Sequence, residues 1–191
     1  DKRRAYAGWE YWARPVPGFG DPGARILLFG LAPGAHGSNR TGRMFTGDAS
    51  GTFLYAALHR AGLASRPDAT RRDDGLVLTG CYITAAVRCV PPGNRPATAE
   101  RARCAEWTAR ELRLLPRVRV FLALGRIAHD ALARHFAVTR AGLPFAHGAE
   151  HTLPDGRRLL DSYHVSQQNT LTGRLTPAMF DAVIARAKAL A

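Results

Sequence analysis

A chain of 191 residues with 46% hydrophobic content is long enough for one globular domain with a sizeable core, since domains commonly run to about 100–200 residues. Twenty-seven Lys and Arg against fifteen Asp and Glu give +12 at neutral pH, a balance that favours polyanionic partners and places nucleic acid first among them. No apolar run approaches the roughly 20 residues that span a bilayer, and Asp1-Lys2-Arg3-Arg4 is not a signal-peptide core, so the expectation is a cytoplasmic monomer of one domain, 1–191.

The start lacks methionine and passes at once into Tyr6, Trp9, Tyr11 and Trp12, which suggests an upstream segment. Residues 14–24, rich in Pro and Gly, read as a loop. The apolar run ending at Phe29 makes 25–29 a strand buried on both faces. Apolar spacing through Phe53, Leu54, Ala57, Leu58 and Ala61 predicts a helix over 50–63. Residues 81–87 form the next strand, and Thr98 with Glu100 can open a helix to about Leu115. Strand 118–124, helix 125–136 and strand 159–163 follow, and Pro177 opens a last helix to about Leu190. Alternating strands and helices predict a three-layer α/β/α sandwich with a mainly parallel sheet of about four strands, whose ligands bind beyond the strands' carboxyl ends.

Two segments occupy that position. The first, Gly30 to Asp48, carries five glycines in nineteen residues, so main-chain N–H groups can approach a ligand closely. It lacks both a terminal Gly-Lys-Ser/Thr and a Gly-x-Gly-x-x-Gly. The second, His164-Val-Ser-Gln-Gln-Asn-Thr-Leu-Thr-Gly-Arg-Leu175, is unusually polar for a connector and places a histidine at a strand end. Three cysteines argue against a disulfide framework; on residues alone, Cys89 and Cys104 are open to either metal ligation or burial, while Cys81 reads as core.

Together the two segments resemble the signature motifs of the uracil-DNA glycosylase superfamily, with wording similar to its B-type, or family 5, branch. The likeness extends through residues 11–21 and 83–94. It implies hydrolysis of the bond joining uracil, and in this branch some deaminated purines, to deoxyribose in double-stranded DNA. A base must leave the stack to be attacked, and Phe45 matches the aromatic on which the flipped base stacks. His164 matches the histidine that stabilises the departing uracil anion. Asp48 matches an aspartate that positions or activates water, and Asn94 a residue beside it. Many branches carry Asp, Asn or Glu before the motif proline, but Ala32 stands there, which leaves Asp48 as the base candidate. Gly30, Ala32, Pro33, Gly34, Ala35 and His36 are the expected substrate-binding residues, with Asn39 open. Gln167, Gln168, Leu171 and Arg174 match the loop that enters DNA, with Leu171 a wedge and Arg174 a phosphate contact. Cys89 and Cys104 match two ligands of a 4Fe-4S cluster, which takes four thiolates; the other two are expected upstream. A damage-binding protein without catalysis and a nucleotide-binding enzyme remain as competing readings.

Overall fold

The computed structural model describes residues 2–139 and 141–191. Its centre is four parallel strands, β2 (Ile26–Gly30), β3 (Cys81–Ala85), β4 (Val120–Leu124) and β6 (Arg158–Ser162). Two short antiparallel edges, β1 (Phe19–Gly20) and β5 (Glu150–Thr152), complete the order β1-β3-β2-β4-β6-β5. The expected four strands are thus present, and the sheet is extended by two that the residues did not announce. Both edges are too short for alternation to register. β1 lies inside the Pro/Gly-rich stretch read as a loop, where Asp21 receives N–H bonds from Gly23 and Gly80 and ties the strand to the sheet.

Alternate side chains of the parallel strands feed two separate cores, which is why the runs are apolar throughout. Ile26, Leu28, Ile83, Val120, Leu122 and Leu160 pack with Leu54 and Leu58 of α2 (Ala49–Arg60) and with Phe180 and Ile184 of α6 (Pro177–Leu190). Leu27, Phe29, Phe121, Ala123 and Leu159 pack with Leu112 of α3 (Thr98–Arg113) and Leu132 of α4 (Arg126–His135). Helices on both faces give the predicted three layers.

Two helix starts differ from expectation. α2 begins at Ala49 rather than Ser50 and is capped by Asp48, whose side chain accepts from Gly51 N–H at 2.9 Å. Thr98 is the first helical residue of α3 rather than its cap; Ala97 occupies the cap, has no side-chain acceptor, and instead gives its own N–H to the Glu100 carboxylate at 2.7 Å. From β2 the chain crosses to β3 through α2 on one face, and from β4 to β6 through α4 on the other. The connections therefore diverge beside β2 and β4 and open a crevice at their carboxyl ends.

Candidate active site

A cleft of about 400 Å³ occupies that crevice, lined by Leu31, Ala32, Pro33, Gly34, Ser38, Met44, Phe45, Asp48, Ser50, Asn94, His164, Ser166 and Gln168. Its volume suits a single small ligand. Both polar segments meet here although more than a hundred residues separate them, because β2 and β6 are parallel and deliver their following loops to the same end of the sheet.

The loop after β2 is built around one strained residue. Phe45 has φ +52°, a conformation costing about 1–3 kcal/mol that persists only when its surroundings enforce it. Ser38 Oγ accepts the Phe45 N–H at 2.9 Å, and Tyr55 donates its hydroxyl to the Met44 carbonyl at 2.8 Å. Arg43 bonds Thr46 Oγ1 at 2.9 Å and grips the Asp74 carboxylate with two nitrogens at 2.8 and 2.6 Å. A Cβ at position 51 would lie 1.8 Å from the Phe45 carbonyl oxygen, and one at position 30 would lie 3.0 Å from its ring. Glycine at these two places lets the ring settle over the end of β2. Gly30 therefore underlies the aromatic wall and does not itself line the cleft.

Asp48 enters from the N-terminus of α2. One carboxylate oxygen caps the helix; the other faces Gly34 and Gly37, where added Cβ atoms would come within 3.0 and 1.9 Å. Burial pushes its carboxyl above the ordinary range, and the Gly51 and Ser50 amides and the Arg40 charge offset only part of this. His164 follows β6. Burial lowers its imidazole below the ordinary value, and no described residue hydrogen-bonds its ring; its carbonyl takes the Asn169 side-chain N–H at 2.8 Å. A neutral imidazole and a desolvated carboxylate thus share one cleft, an arrangement suited to donating a hydrogen bond on one side and accepting a proton or ordering water on the other. Asn94 reaches the rim from a short 3-10 turn (Pro92–Asn94), where Gly93 and Asn94 both have positive φ.

Of the expected substrate-binding residues, Ala32, Pro33, Gly34 and Phe45 line the cleft; Ala35 and His36 do not. His36 is turned toward the N-terminal stretch, its Nδ1 3.0 Å from the Tyr11 hydroxyl, and Asn39 bonds Ala35 at 3.4 Å. Sequence reading overlooked Ser50 and Ser166; their adjacency to Asp48 and His164 was the available signal.

The expected DNA-entering loop projects from the same rim. Ser166 caps α5 (Gln167–Leu171), where Gln167 and Gln168 are exposed and Leu171 is 81% exposed. Arg174 lies over the Tyr163 ring at 4.7 Å. An isolated leucine so exposed on a short capped helix gains nothing from folding.

Cys89 and Cys104 lie away from the cleft, on a groove of about 780 Å³ with Trp107 and Leu114. Burial raises the Cys89 thiol, and the nearby Cys104 and Glu100 raise it further. Cys81 is core, as expected, with Sγ toward the Leu63 carbonyl and its thiol pushed up to about 12 by burial. A different group has metal-like spacing among the described residues: His129, His151 and Asp161. Here His129 Nδ1 donates to Asp161 at 2.8 Å and Nε2 donates to the Leu143 carbonyl at 2.9 Å. Both partners are acceptors, so the protonated ring is the form that satisfies both contacts. Burial opposes that charge, but the Asp161 hydrogen bond and charge, with Leu143 and Asp130, outweigh it and raise the imidazole above its ordinary value.

The model of the uracil DNA glycosylase superfamily matches residues 17–188. The chain is 64% identical over 190 residues to a type-5 uracil-DNA glycosylase of Thermus thermophilus, covering 100% of this chain and 86% of that protein. It is 53% identical over 192 residues to a type-5 uracil-DNA glycosylase of Mycobacterium leprae, covering 100% and 84%. One from Pyrobaculum aerophilum is 47% identical over 186 residues, covering 97% and 80%. With a cleft at the carboxyl ends of β2 and β6 and a family match spanning nearly all of the sheet and helices that build it, the chain belongs to the uracil DNA glycosylase superfamily.

Proposed function

We propose that the protein hydrolyses the N-glycosidic bond of uracil in double-stranded DNA, leaving an abasic site, and accepts some other deaminated bases. The observation that carries this reading is the convergence of Phe45, Asp48 and His164 on one cleft of about 400 Å³. A flipped uracil would stack on Phe45, a contact worth about 1–3 kcal/mol. As the bond between C1′ and N1 breaks, the electron pair leaves with the base, and a hydrogen bond from neutral His164 to the base oxygen stabilises the anion. Asp48 holds the water whose oxygen bonds to C1′ and takes up the proton it loses, while its charge offsets that building on the sugar. Asn94 contacts water or base. Ala32 leaves the slot before Pro33 without a carboxylate. Gln167, Gln168 and Leu171 would fill the space vacated in the duplex, and Arg174 would meet a phosphate. No helix among the described residues is long and apolar enough to cross a membrane, and a DNA substrate agrees with the cytoplasmic setting expected above.

Cys89 and Cys104 fit two positions of a 4Fe-4S ligand set, since both face one groove and their charges interact. Four thiolates are needed, and the two seen here would be half of such a set. Such a cluster would cross-link the turn after β3 to α3. Loss of the cluster's visible absorbance in Cys89→Ala would support ligation, whereas an iron-free, fully folded intact protein would reject it.

The decisive test is incubation with a uracil-containing duplex followed by alkali. Strand breaks at the uracil are expected; tight binding without breaks would replace the enzyme with a damage-binding protein.

A further inference from the structure

Arg40 is 5% exposed, so this cation is withdrawn from any phosphate, and its contacts explain where its charge is used. Nε donates to the His36 carbonyl at 2.7 Å and Nη2 to the Gly47 carbonyl at 2.9 Å. These two carbonyls bracket the loop that ends in Asp48. The guanidinium lies between two aromatic faces, 4.1 Å from the Tyr6 and 4.1 Å from the Trp9 ring centroids, a geometry in which a desolvated cation is held by ring quadrupoles.

The surrounding chain is fitted to this arrangement. Gly47 has φ +82°, and a Cβ there would lie 2.4 Å from Arg40 Nη2. Trp12 N–H bonds the Arg40 carbonyl and Ala13 N–H the Asn39 carbonyl, each at 3.2 Å, so the N-terminal stretch is docked on the short helix α1 (Ser38–Thr41). Asp48 is shared between the substrate cleft and a shallower outer pocket lined by Tyr6, Trp9, Arg40 and Arg71.

We propose that Arg40, clamped by Tyr6 and Trp9, is a positioning residue for Asp48: it fixes the Gly47 carbonyl, and through it the placement of the carboxylate in the cleft. The aromatic N-terminal stretch is on this view the outer wall of the active site. The inference rests on Asp48 being the group that manages water. The charged and titratable groups that share a pocket with Asp48 are Arg40 on its own loop, Tyr6 and Arg71 across the outer pocket and His164 across the cleft. Of these, Arg40 lowers the carboxyl of Asp48 and so acts against its burial.

Single-turnover excision from a uracil duplex, followed across pH, tests this with Arg40→Ala, Arg40→Lys, Trp9→Ala and Asp48→Asn. Arg40→Ala is expected to slow the chemical step about 100-fold, the scale of a 1 Å misplacement, with Kd for the duplex near that of the unaltered protein and the acid limb moved to higher pH. Arg40→Lys keeps the charge, so its acid limb stays in place, but it is slowed because an ammonium lacks the rigid fork that spans two carbonyls. Trp9→Ala slows the step less, in the same direction as Arg40→Ala. If Arg40→Ala does not fold, Arg40→Lys and Trp9→Ala carry the test. An inactive Asp48→Asn together with unaltered rates and pH profiles in the Arg40 and Trp9 variants overturns the role of Arg40. An effect of Arg40→Ala confined to Kd overturns it too. An active Asp48→Asn instead removes Asp48 from the mechanism.

Discussion

The cleft and the buried His129–Asp161 pair each hold an aspartate and a histidine, and they treat them oppositely. In the cleft, Asp48 and His164 are desolvated without an ion-pair partner; the carboxyl rises and the imidazole falls, each toward its neutral form. In the interior, His129 and Asp161 are more deeply buried but bond each other, and the imidazole rises toward its charged form. His164 and Asp161 are only three residues apart. The same carboxyl end of β6 thus carries both the cleft histidine and a stabilising buried pair, and what differs is the presence of a fixed partner.

The contrast breaks most visibly through Asp48. Asp48→Asn keeps the helix cap and is expected to lose about 10²- to 10⁴-fold in single-turnover excision, the scale of general-base catalysis, with no loss of thermal stability; an unchanged rate would take the residue out of the mechanism. Removing the interior partner has the reverse profile. His129→Ala leaves the buried Asp161 without its close hydrogen-bonded partner, with only His151 Nε2 at 3.5 Å, and should cost up to about 3–5 kcal/mol in denaturant unfolding, while the folded fraction excises uracil at the normal rate. His164→Ala is expected to slow excision by about 10²- to 10³-fold, as for loss of one oxyanion donor, again without destabilisation. pH sharpens the comparison. Asp48 must ionise to work, so the acid limb of kcat/KM should lie above the ordinary carboxylate value, and a limb at that value would show that its burial is relieved in solution. For His129, whose folded value is raised, the stabilisation is complete below the unfolded value near 6.5 and is lost as pH rises through the folded value. Melting temperatures should therefore fall over that window in the unaltered protein and not in His129→Ala. The smallest effect concerns Leu171→Ala, where stability should stay within about 0.5 kcal/mol and excision from duplex should weaken more than excision from single strands.

The four parallel strands were legible because burial on both faces writes a continuous apolar run. β1 and β5 were not, since two- and three-residue edges are recruited by neighbours such as the Asp21–Gly80 bond. The short helices α1 and α5 lie hidden within the two polar motifs; four or five residues cannot sustain a helix alone, and their form depends on docking and on the Ser166 cap. The motifs pointed to Asp48, His164 and Phe45 through their placement after apolar strands and through family likeness. They misplaced His36, whose partner Tyr11 lies in a stretch that folds back over the loop. They also passed over Arg40, which reads as one more arginine in a basic chain.

Residue order alone determined the layered α/β architecture, the sheet end at which chemistry would lie and the polyanionic character of the partner, because these follow from periodicity and summed charge. Tertiary structure decided the charge states. Whether an aspartate or histidine is pushed toward neutrality or held as an ion depends on water excluded and on partners brought near, and His129 meets Asp161 across 32 residues of chain only once the sheet has formed.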